Sequence, residues 1–133
     1  MVAPGETEKI TINLGPVDLG QIDLLVQEGF YSNRTDFIRT AIRNQLAEHA
    51  EAVRSSVARK TLALGVQHYT RQDLETMRAA GHALHINVLG LASIAEDVSP
   101  ELALATIESI SVLGSFRASP PVRAALRGRI LSP

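Results

Sequence analysis

Lys9, Thr11 and Asn13 occupy alternate positions in the run Lys9-Ile10-Thr11-Ile12-Asn13-Leu14. In an extended chain they share one face, and their side chains are of the kinds that read base edges. Lysine donates to guanine O6 and N7, asparagine pairs bidentately with adenine, and threonine offers a hydroxyl or a methyl contact. An exposed strand face needs the same residue types simply to be solvated, and taken alone the strand favours that plainer reading. A second cluster, Ser32-Asn33-Arg34-Thr35, shifts the balance. Its short polar side chains mark a helix start, where free backbone N–H groups of Asn33 and Arg34 carry partial positive charge and clamp phosphate. Arg34 adds a full charge there, and Ser32 or Thr35 can donate to a phosphate oxygen. Arg39 and Arg43, four residues apart, read more simply as partners of Asp36 in surface ion pairs.

Other candidate chemistry is weaker. His68, His82 and His85 invite a metal reading, but the chain has no cysteine and no third partner for the His82/His85 pair, so no metal and no cofactor is expected. Glu96-Asp97 sit where a loop meets a helix start, an ordinary place for carboxylates. There is no phosphate loop, nucleophile elbow or His-Glu-x-x-His pattern, and the chain reads as a non-enzyme.

The 133 residues are 45% apolar, enough to bury a core, and carry a net charge of −1. Charge is balanced in each half: residues 1–60 hold seven basic and eight acidic groups, residues 61–133 six of each. Nucleic-acid affinity must therefore come from a few placed cations repeated by symmetry, not from bulk charge. The absence of cysteine suits a reducing compartment, and no stretch approaches the roughly 18 consecutive apolar residues of a spanning helix. A cytoplasmic protein with no membrane contact is expected.

Residues 1–7 show no periodic pattern and read as a flexible arm. Lys9 to Leu14 read as a half-buried strand with Ile10, Ile12 and Leu14 inward. Gly15-Pro16 and Asp18 start a short helix that Gly29 ends. Ser32 is the expected cap of a second helix, whose inner face includes Ile38 and Ile42 and whose pattern can run on through Ala50, Val53 and Val57. Arg54 to Lys60 is the expected domain boundary. A lone six-residue strand cannot bury its inner face or satisfy its backbone, so it needs the same strand of a second chain. The result is a two-stranded antiparallel ribbon of a homodimer, of the kind that fits the major groove of double-stranded DNA. Ile10, Ile12, Leu14, Ile38 and Ile42 would form its core.

The ordered set formed by the strand Lys9-Ile-Thr-Ile-Asn-Leu, a short helix, the segment Gly29-Phe-Tyr-Ser-Asn-Arg-Thr-Asp-Phe-Ile-Arg and Ala41-Ile42-Arg43 resembles the CopG-like ribbon-helix-helix family over residues 8–49. The resemblance implies an intertwined dimer in which Lys9, Thr11 and Asn13 read bases and the Ser32–Thr35 region anchors phosphate. One departure is the Gly15-Pro16 start, where the family often has a polar cap.

Leu64-Gly65, Leu89-Gly90 and Leu113-Gly114 recur at intervals of 25 and 24 residues. The last two end the strands Ile86–Gly90 and Ile110–Gly114. Helical stretches are expected at Gln72–Ala80, Pro100–Ile107 and Pro120–Arg129. Repeats of one strand and one helix suggest a short leucine-rich-repeat-like stack, with a βαββαβ domain as its competitor. The expected fold is α+β: an arm (1–7), a βαα ribbon-helix-helix dimerisation domain (8–57), and a small α/β domain (61–133) for higher assembly on DNA or a partner protein. It is not expected to bind a small metabolite. The function read from these residues is sequence-specific transcriptional regulation. The alternative is an antitoxin that autoregulates through the ribbon and neutralises a toxin with its C-terminal half.

Overall fold

A computed structural model describes residues 7–131. The arm expected at 1–7 lies, apart from Thr7, outside the described residues. The chain divides into two compact units, residues 9–56 and residues 57–133 together with 1–8.

In the first unit, α1 (Pro16–Gln27) begins as its sequence dictates: Gly15 is the N-cap, Pro16 fills the first position and Asp18 lies in the first turn. It ends at Gly29, which takes φ +86. The Gly29 N–H donates to the Val26 carbonyl and the Phe30 N–H to the Leu25 carbonyl, the paired bonds of a Schellman ending. Helix α2 (Arg34–Glu48) follows after a short turn. The expected continuation past Glu48 is helical but interrupted at His49, and α3 (Ala50–Lys60) resumes beyond it.

Two expectations are corrected here. The cap of α2 is Asn33, not Ser32: the Asn33 carboxamide oxygen accepts from the Asp36 N–H at 2.8 Å. Asparagine reaches the third amide of the helix as well as serine does and stands one residue closer to it. Residues 9–14, expected as a strand, form no strand, and the first element among the described residues is α1. A ribbon strand takes its ladder bonds from a second strand, and this unit of a single chain contains none to pair with.

The second unit alternates β1 (Ala63–Tyr69), α4 (Arg71–Ala79), β2 (Leu84–Ile94), α5 (Pro100–Thr106), β3 (Ile107–Arg117) and α6 (Pro120–Ala125). The strands form one parallel sheet in the order β1-β2-β3. The register stacks the three Leu-Gly pairs: Leu64 on Leu89 on Leu113, and Gly65 on Gly90 on Gly114. The strands do not stop at these glycines, as the sequence suggested, but run through them. All three glycines hold φ between +119 and +138. A Cβ on Gly90 would lie 2.2 Å from the Gly65 carbonyl oxygen, and one on Gly114 would lie 2.1 Å from that of Gly90. At Gly90 and Gly114 the neighbouring strand passes so close that only glycine fits, whereas Gly65 meets open space and is favoured by its backbone angle alone.

Alternation assigns the two sheet faces. Ile86, Val88, Ala92 and Ile94 of β2 join Leu74 of α4, Leu102 and Ala103 of α5, and Val122 of α6 in one buried cluster. All three helices therefore pack on one face. Each start is capped by a side chain, Thr70, Ser99 or Ser119. After α6 a single turn, Arg127–Arg129, leads to Ile130, which bridges to Ile110 in parallel.

Candidate nucleic-acid interface

The first unit lacks a core of its own. Among its described residues only Ile22 is buried. Ile10 is 77% and Ile12 58% exposed, and Leu14, Ile42 and Leu46 are exposed as well; Ile38 is half-buried. Leu14 also lines an open groove of about 340 Å³ with Ile22, Leu25 and Phe37. Apolar side chains in this number do not stay in water in a stable domain. They form an apolar surface that nothing in this unit covers.

Lys9, Thr11 and Asn13 are all exposed and lie in the same segment as these isoleucines. The two chemistries alternate residue by residue, so a pleated strand would sort them onto opposite faces. The structure does not bring the three polar groups together, because pleating requires the ladder this segment lacks.

The start of α2 is more fully built. Asp36 accepts the Ser32 N–H at 2.9 Å while its own N–H is held by Asn33. The Arg34 and Thr35 amides, in the first turn, have no acceptor along the helix. Tyr31 and Phe37 pack edge to face across this turn, with ring centroids 5.0 Å apart. Arg34 reaches back to α1, where its Nε donates to Asp23 Oδ1 at 2.7 Å and its Nη2 to Oδ2 at 2.8 Å. The Asp23 carboxyl is held below its ordinary pKa, chiefly by the Arg34 hydrogen bonds, and Arg34 is raised by the same bonds. Sequence reasoning missed Asp23. It lies eleven residues before Arg34 on another helix, and no spacing rule joins residues across a turn.

Two of the three candidate histidines, His68 and His85, have polar neighbours. His68 Nδ1 lies 2.6 Å from Ser93 Oγ, and His85 Nδ1 lies 2.9 Å from Ser109 Oγ. No group of three metal-ligating side chains occurs among the described residues. Nor is any helix among them long and apolar enough to cross a membrane.

The chain thus pairs a helical unit with an uncovered apolar surface and an α/β unit with a core of its own. The chain belongs to the Ribbon-Helix-Helix transcriptional regulator family, whose model matches residues 5–123. That family is one of transcriptional regulators. The chain is also similar to an uncharacterized protein of Methanocaldococcus jannaschii, 42% identical over 43 residues, or 32% of this chain. That match spans 44% of the relative's length. No solved structure matches the chain significantly.

Proposed function

We propose that residues 9–14 of two chains pair as an antiparallel ribbon that enters the DNA major groove. Lys9, Thr11 and Asn13 face the bases, and Ile10, Ile12 and Leu14 are buried with Ile38 and Ile42 of both chains. The observation that carries this reading is the exposure of Ile10, Ile12 and Leu14 at alternate positions with those three polar residues. Burying the apolar set against a second chain leaves the polar set on the outer face. Ser32, Asn33, Arg34 and Thr35 hold the flanking phosphates through the unbonded amides and the guanidinium. The C-terminal unit, with its own buried core, arranges dimers along DNA.

In-vitro selection of bound duplexes with the full chain tests the reading. An enriched inverted or direct repeat is expected. Lys9→Ala, Thr11→Ala or Asn13→Ala should each lose about 1–3 kcal/mol on the selected site and blur its sequence. Unchanged preference in the Thr11 and Asn13 variants refutes base reading by this segment.

A further inference from the structure

Among the described residues, the sheet of the second unit has helices on one face only, and the opposite face has a pattern of its own. One residue before the glycine row lie Leu64, Leu89 and Leu113 in register; one residue after it lie Val66, Leu91 and Ser115. Leu64 is 68% exposed and Val66 56%. Three residues before the glycines the face turns polar, with Asn87 beside Ser111. Three residues after them it is polar again, with His68, Ser93 and Arg117 aligned. Glu8 seals that corner, accepting from Ser115 Oγ at 2.7 Å and Arg117 Nη2 at 2.6 Å. The face is an apolar stripe with a polar margin at each end, the anatomy of a protein interface.

The pattern is symmetric about the glycine row, and that symmetry selects the occupant. Turned end for end and laid on a copy of itself, each strand crosses its own copy antiparallel. The row before the glycines then meets the row after them, Leu64 on Val66 and Leu89 on Leu91, and the polar margins meet each other. We propose that this face docks onto the same face of a second copy, joining neighbouring dimers on DNA. The inference rests on the reading of the second unit as the part that arranges dimers.

Size also favours a copy over an unrelated protein. Three strands about 4.8 Å apart and seven residues long at about 3.3 Å each cover roughly 300 Å². A stable interface needs about 800 Å² from each partner. A contact this small holds only between molecules already brought together, and copies bound side by side on one duplex have the necessary effective concentration.

The test uses the full chain on duplexes carrying one or two adjacent selected sites. Leu64→Glu/Val66→Glu changes side chains already more than half exposed, so folding should survive and one-site affinity should hold. Cooperativity on two sites should fall about tenfold. Leu64→Glu/Val66→Lys sets opposite charges against each other only in the antiparallel register, and should restore it. Because the chain has no cysteine, Leu91→Cys gives a clean cross-linking probe. A short bismaleimide should join two chains through it on the two-site duplex, and should not do so through Gln72→Cys on α4. Full cooperativity in the double-glutamate variant overturns the proposal, as does Leu91→Cys cross-linking that is equally strong on one site. If the unmodified chain binds one site but shows no cooperativity on two, the assembly role fails while DNA binding stands. If it binds no duplex, DNA binding fails instead, and cross-linking of concentrated protein judges the face.

Discussion

The guanidinium of Arg34 is clamped by the carboxylate of Asp23, each of two nitrogens meeting its own oxygen at 2.7 and 2.8 Å. A carboxylate and a phosphate present the same two-oxygen edge to the arginine fork, so under the proposed reading Asp23 competes with a DNA phosphate for Arg34. Asp23→Asn should free the fork and strengthen binding to any duplex roughly two- to fivefold at low salt, an exposed pair being heavily screened. Arg34→Ala should weaken specific and non-specific binding alike and lower the salt slope by about one. Titration of both variants against salt concentration checks the pair. Unchanged affinity in Arg34→Ala would remove Arg34 from the interface.

Ile12 sits at the centre of the exposed apolar segment. Ile12→Glu should place a carboxylate in the dimer core and unfold residues 9–56 while the C-terminal unit, with its separate core, stays folded. Sedimentation with circular dichroism reads this directly. A folded, monomeric variant with full helix content would contradict the dimer-core role.

Gly65 and Gly90 have similar backbones but different surroundings. Gly65→Ala meets open space and should cost about 1–3 kcal/mol of backbone strain. Gly90→Ala meets the Gly65 carbonyl as well, and its cost should exceed ~4 kcal/mol. Denaturant unfolding of the two variants measures the difference, which should vanish if the strands can separate without loss.

The start of α4 is acid-sensitive. Asp73 accepts the Thr70 N–H at 2.9 Å and returns its own N–H to Thr70 Oγ1 at 3.1 Å. The Thr70 backbone bond, followed by the side-chain bond, lowers the Asp73 pKa. A lowered folded pKa gives stability that is present above the unfolded value and is lost as pH falls through the folded one. Asp73→Asn should therefore be less stable than the parent at neutral pH, with the gap closing in acid. Thermal melts across that range check the sign.

The periods and breakers of the sequence determined much of this protein. Gly15-Pro16 and Gly29 bound α1 because capping and left-handed backbone are local demands. The recurrence of Leu-Gly at 25 and 24 residues marked a strand-and-helix repeat because stacked strands impose one register on every copy. The alternation of Lys9, Thr11 and Asn13 with Ile10, Ile12 and Leu14 pointed to a ribbon strand, which the single chain does not form, since a ladder needs a second strand to pair with. Only the tertiary structure decided that the glycines lie within the strands, because the clash that Gly90 and Gly114 avoid is with a neighbour about 25 residues away. Likewise, it alone joined Asp23 to Arg34 and showed which sheet face the helices leave bare. Such pairings depend on how elements pack in space, and no spacing along the chain encodes them.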